Sequence, residues 1–229
     1  MTDNRNLGFD QDSTTPVELT IPGFPVLTKP VTVEEGEVIA KNTVIGKITK
    51  GAATKAAKSG GNTGNGTLTL DATTPILVKA KAGIYKVRII RAAIAAIGET
   101  SPAMKAIAEL KDTDGNVLEI FDVPTTPGVE ISNQVKFVLL DGSSAFALGD
   151  GFDITIAAGS GNYKAYDADN IDGSEVAEFI LAEAIDATDE DTVGTAYCTG
   201  HFNEAALVGI DDAAIATLEK KGIFVSTIQ

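Results

Sequence analysis

Between Thr67 and Ala158 the chain is a succession of strand-length apolar runs, each ended by a turn signal, and this rhythm limits its fold more than any other feature. The runs are TLTLD, GIYKVRII, MKAIAELKD, NVLEIFDV, QVKFVLLD and GFDITIAA. Asp114-Gly115, Pro127-Gly128, Asp141-Gly142 and Gly149-Asp150-Gly151 break them. Gly accepts the positive φ of tight turns and Pro or Asp initiates them, so these runs are too short to be long helices. Several short strands in roughly ninety residues predict a small, Ig-like β-sandwich. Ala92 to Ile97 would equally suit a short helical excursion.

The flanks read differently. Residues 31–50, VTVEEGEVIAKNTVIGKITK, alternate around turns at Glu35-Gly36 and Lys41-Asn42. GAATKAAKSGGNTGNG has the composition of a flexible linker, with a domain border near Gly60 to Gly66. GSGNYKAYD is a second flexible stretch, and EVAEFILAEA (175–184) leaves strand and helix both open. The economical organisation is one domain interrupted by another: a host from 31–61 and 159–229, with 62–158 inserted. An insertion whose ends lie close together adds little loop-closure entropy.

Residues 1–30 form an arm. Pro16, Pro22, Pro25 and Pro30 bias it toward extended backbone and away from helix. Its apolar teeth are Val17, Leu19, Ile21, Phe24, Val26 and Leu27. Alone, such a segment cannot offset a backbone ordering cost of about 1–2 kcal/mol per residue, so it is expected to be mobile until it meets a partner. Val17-Glu18-Leu19-Thr20-Ile21 alternates as an edge strand would.

Charge and composition exclude several classes. A formal charge of −14 argues against nucleic-acid binding, which needs clustered Lys and Arg. With 44% hydrophobic residues the chain has material for a core and is no disordered tail. Cys198 is the only cysteine, so an intramolecular disulfide is impossible, and it is expected to pack as a small hydrophobe. MTDNRNLGFDQDSTT lacks an apolar signal core, and no run approaches the roughly 20 residues that cross a bilayer, so assembly in a cytoplasm without membrane contact is expected.

No catalytic or metal constellation stands out. His201 is the lone histidine, and zinc needs three or four ligands, so a structural place in a turn is expected for it. Asp112, Asp114 and Asn116 imitate the start of a calcium loop, but position twelve is Val123 and the flanks are strands; a hairpin turn is the reading. GGNTGNG lacks the Lys-Ser/Thr of a phosphate loop and is read as a hinge. EEGEVIAKNTVIGKI resembles the strand pair of biotinyl carriers without their modified lysine beside Met. No cofactor is expected, and the chain is read as no enzyme.

The last thirty-odd residues carry the most specific pattern: TAYCTGHFNEAALVGIDDAAIATLEKKGIFV. A strand run Thr195 to Cys198 is expected to stop at Gly200. A polar turn (His201 to Glu204), a helix-period segment and a final strand follow. The motif residues are Gly200, Phe202, Asn203, Ala206, Leu207, Gly222, Ile223 and Phe224. This order resembles the C-terminal half of the head decoration proteins of tailed bacteriophages, the family of the phage lambda decoration protein. GNGTLTL, KAGIYKV, KFVLLDG and AFALGDGFDITI are similar to an extra domain of its larger members. The resemblance implies a mainly β fold, a β-clip-like α+β host with the sandwich as insert. It implies homotrimers on local three-fold axes of an icosahedral head, clamping the major capsid protein from the outer surface of the virion. It further implies that the arm makes the capsid contact. The competing reading is a host-surface or carbohydrate-binding adhesin on the virion, which the absence of Trp disfavours.

Overall fold

The computed structural model describes residues 18–95 and 103–227. Among them the chain is mainly β with one α-helix. The strands are β1 (Leu27–Val33), β2 (Val38–Ile39), β3 (Val44–Lys47), β4 (Lys50–Ala57), β5 (Thr67–Leu70), β6 (Gly83–Arg91), β7 (Ala106–Lys111) and β8 (Val117–Val123). They continue as β9 (Val129–Ser132), β10 (Lys136–Leu140), β11 (Gly151–Ala158), β12 (Tyr163–Ala165), β13 (Ala177–Leu181), β14 (Ile185–Asp186) and β15 (Thr192–Asn203). A 3₁₀ turn (Glu204–Ala206), helix α1 (Asp212–Glu219) and β16 (Ile223–Ser226) end the described chain.

Two hydrophobic cores divide these elements. In the first, β1, β12, β3, β13 and β15 pair in that order, and β15 pairs again with β1. The sheet therefore closes into a five-stranded barrel, which leaves those strands no open edge. The closing pair is long and antiparallel, from Leu27↔Thr199 to Val33↔Thr192. Val31, Val33, Ile45, Ile180, Leu181 and Ala196 fill the core, and Ala214 and Leu218 of α1 close over it. The turns expected at Gly36 and Asn42 are present, with φ of 89° and 67°.

In the second core, a five-stranded sheet (β4-β11-β6-β7-β8) and a three-stranded sheet (β5-β10-β9) bury Leu68, Tyr85, Leu110, Phe137, Phe146 and Ile154 between them. The alternation seen in the sequence is the pleat: in β7, Ala106, Ala108 and Leu110 are buried and their neighbours are not. Tyr85 is fully buried, but its hydroxyl is satisfied, donating to Gln134 (2.8 Å) and accepting from the Lys81 N–H (2.9 Å).

Several expectations are corrected. Gly51–Ala57, read as linker, belongs to strand β4, which starts at Lys50 and pairs with β11 from Phe152↔Ala57 to Ala158↔Lys50. The second sheet system thus begins at residue 50, twelve residues before the expected border. Its Ala, Lys and Gly composition has little β propensity, and pairing along β11 supplies what propensity does not. The glycine-rich turn after it is held rather than free: Asp150 accepts from the N–H of Thr63 and Gly64 (both 2.9 Å), and Asn62 accepts from the Gly151 N–H (2.9 Å). GSGNYKAYD contains β12, and EVAEFILAEA contains strand β13. Ile94 forms an isolated bridge with Met104, while 96 and 97, the end of the suggested helical excursion, lie outside the described residues. The Asp114-Gly115 hairpin is present, and Asp112 is occupied by it, accepting from Asp114 N–H, Asn116 N–H and Asn116 Nδ2.

The chain enters and leaves the two-sheet half at adjacent points, since Lys50 and Ala158 are direct partners. We expect a chain in which 50–158 are replaced by two glycines to keep the barrel, with a cooperative melt and a near-ultraviolet signal. A molten product would show that the two cores fold only together.

Candidate functional site

The C-terminal motif and the arm meet at one end of β15. Gly200 does not stop that strand. β15 runs on to Asn203 because two partners flank its end: β16 lies parallel to it from Gly200↔Ile223 to Asn203↔Ser226, and the arm lies antiparallel on the other side. The expected polar turn at His201 to Glu204 is therefore strand through Asn203, followed by the 3₁₀ turn. Gly200 has φ of 150°, and a Cβ there would stand 2.6 Å from the Phe202 ring and 3.4 Å from Val26. Only glycine lets Phe202 lie inward, where it is fully buried and tilted on Tyr197 at 5.2 Å.

Asn203 joins three segments. Its N–H donates to the Leu19 carbonyl (2.8 Å) and its Nδ2 to the Glu18 carbonyl (3.2 Å). Its Oδ1 caps the 3₁₀ turn by accepting from the Ala205 N–H (3.2 Å). Ala206 is part-buried on that turn, and Leu207 packs against the barrel core. Past α1, which Asp211 caps through the Ala214 N–H (2.7 Å), Gly222 takes φ of 85° and turns the chain into β16. Burial first, then Asp211, which accepts from its hydroxyl, push Tyr166 up to about 12. Ile223 is buried and Phe224 faces out.

The arm residues divide into three groups. Val17 lies outside the described residues. Leu19 and Ile21, expected to wait free for a partner, flank a bridge between Thr20 and Phe202, and the Ile21 N–H donates to the His201 carbonyl (2.8 Å). Phe24, Val26 and Leu27 are exposed, with Phe24 tilted on Phe224 at 4.9 Å and edge-on to His201 at 6.3 Å. In an antiparallel ladder the N–H and C=O of a non-bonded pair member face away from its partner, so those of Thr20 point to the arm's outer edge. The site is thus an exposed aromatic and aliphatic patch beside a segment whose outer edge has no ladder partner among the described residues. Ser226, which bonds His201 Nε2 at 2.8 Å, belongs to it and has no sequence signal.

Cys198 Sγ reaches the Leu27 carbonyl (3.4 Å), and His201 turns to Ser226 instead of to Cys198. Among the described residues no three His, Cys, Asp or Glu side chains group to hold a metal, and no helix is long and apolar enough to cross a membrane. Residues 50–158 carry equal numbers of acidic and basic side chains, so the whole formal charge of −14 falls on the remainder of the chain.

No curated sequence and no solved structure matches the chain significantly. A family model does: that of the bacteriophage lambda head decoration protein D matches residues 23–223, from the root of the arm through both cores to the first residue of β16. The chain belongs to the family of the bacteriophage lambda head decoration protein D.

Proposed function

We propose that this protein decorates and stabilises the outer surface of an icosahedral phage head, as homotrimers at local three-fold sites, by gripping the major capsid protein with its arm. The observation that carries the reading is the family match over residues 23–223. The site adds a physical means. The outer edge of the arm at Thr20 can accept an extended capsid segment as an added strand, with Phe24, Val26, Leu27 and Phe224 as the apolar anchors beside it. A cyclic trimer repeats the contact three times, so modest single affinities combine into firm attachment. The protein has no nucleic-acid partner in this reading, acts by binding alone and is assembled on heads in the host cytoplasm.

The test is addition of purified chain to empty expanded heads, read by electron microscopy and by head-bound protein. Full-length chain should appear as three-fold knobs. A truncation starting at Val26, which leaves every barrel strand in place, should remain trimeric and lose at least tenfold in apparent affinity. Full occupancy by that truncation would move attachment into the barrel, and no binding by the full chain would end the decoration reading.

A further inference from the structure

The passage between the two halves carries a charged pair that ordinary folding logic disfavours. Lys50 is the first residue of β4, and its Nζ donates to Glu175 Oε1 at 2.6 Å. The two side chains are only 4% and 3% exposed. Glu175 belongs to the loop before β13, in the barrel half, while Lys50 opens the two-sheet half. The same ammonium donates to the Val78 carbonyl (3.3 Å), on a loop of the two-sheet half between β5 and β6. One buried cation therefore ties together the passage, a barrel loop and a loop of the other half.

The backbone around it is bound as tightly. The N–H groups of Thr49 and Lys50 both donate to the Asp172 carbonyl at 2.8 Å. Ile48 exchanges bonds with the returning strand, donating to Asn162 (2.9 Å) and accepting from Gly161 (3.0 Å). Asp172 is itself fixed by Lys164 (2.8 Å) and by the Ser174 hydroxyl (2.6 Å). Ile171, from the barrel half, packs against the core of the other half. A cleft of about 270 Å³ opens beside the pair, walled by Lys47 and Glu178 on one side and Val78 and Ala80 on the other.

Burying an ion pair costs several kcal/mol per ion in desolvation, and such pairs are often no more stabilising than apolar residues of the same size. What this pair can supply is direction. Its bonds are satisfied at one mutual orientation of the barrel loop, the passage and the Val78 loop, whereas apolar contacts tolerate sliding. We propose that Lys50 and Glu175 form a latch that sets a single angle between the barrel and the two-sheet half. On a head, which rests on the function proposed above, every copy would then present its two-sheet half in the same pose.

The experiment uses the purified full chain and needs no heads, so its failure is separate from failure of the decoration reading. In a Cys198→Ser background, spin labels at Thr125→Cys in the two-sheet half and Asp212→Cys on α1 report the distance between halves. The latched chain should give one narrow distribution. Glu175→Gln should broaden it at least twofold. Because that change leaves Lys50 buried without its counter-charge, a second variant, Lys50→Met with Glu175→Leu, removes the charge while keeping both cores folded, and it should broaden the distribution too. A distribution already broad in the parent, or an unchanged width in the double variant, would overturn the latch.

Discussion

Asp150→Ala is expected to destabilise the two-sheet half by about 3–5 kcal/mol, because three N–H groups lose a charged acceptor at once and a hydrogen bond to a charged group is worth roughly 1.5–3 kcal/mol, the low end applying where, as at Thr63, water can replace it. The carboxylate is 2% exposed and accepts from Thr63, Gly64 and Ala147, all at 2.9 Å, thereby joining the glycine-rich turn to the loop before β11. Asp150→Asn keeps one acceptor oxygen and should lose about half as much on the same scale. Far-ultraviolet circular dichroism during urea unfolding reads the change, since the chain has no Trp to follow. An Asp150→Ala midpoint equal to the parent's would show that other contacts hold this turn.

The same carboxyl gives an acid dependence with a definite sign. Burial pushes it up, but the N–H groups of Gly64, Thr63 and Ala147, with Lys58 nearby, outweigh burial and hold it below the usual carboxylate range. A group lowered in the folded state binds its proton more readily when unfolded. Its contribution is therefore complete above the ordinary value of about 3.9 and is lost as pH falls through the lower folded value. The parent should lose stability on acidification below about pH 4 more steeply than Asp150→Ala does, which is the measurable form of that linkage.

Phe202→Ala is the matching experiment in the barrel, with an expected cost of about 3–5 kcal/mol for emptying a fully buried aromatic site. The ring is fully buried. It fills the space that Gly200 leaves open, and its backbone faces the arm at Thr20. Its loss should thus also loosen residues 18–21, seen as faster amide exchange at Ile21 and Asn203. Phe224→Ala, on the exposed side of the same strand pair, should leave the melt nearly unchanged. Equal losses from the two substitutions would place Phe224 in the core. If each half unfolds as its own unit, Asp150→Ala and Phe202→Ala will lower different transitions.

The contrast between those two phenylalanines shows what a sequence read alone can and cannot yield here. Period-two alternation and Gly or Asp turn residues made the strands of the two-sheet half legible, since local chemistry sets both. Helix α1 and the K-G-I-F turn into β16 were legible for the same reason. β4 was not, because KGAATKAA has linker composition and becomes a strand only by lying along β11. The continuation of β15 through Gly200 was hidden for a related reason: glycine ends strands by default, and here two flanking strands override it. The arm misled in the opposite direction. It was expected to be extended throughout, but Pro22 and Gly23 form a turn, with Gly23 at φ of 106°, and Leu19 and Ile21 find their ladder on the same chain. The Lys50–Glu175 pair left no signal at all, its members lying 125 residues apart.

The way the passage is built has a mechanical consequence. β3 leads into β4 and β11 returns into β12, while β3 and β12 are already antiparallel neighbours inside the closed barrel. A pull on the two-sheet half along this ribbon would load both strands lengthwise, in shear against β13 at three pairs and against β1 at Val33↔Tyr163, so that these pairs resist together. A sideways pull would instead meet the loop of Asp172 and Glu175 first. The molecule should therefore be stiff against tension and yield first under bending.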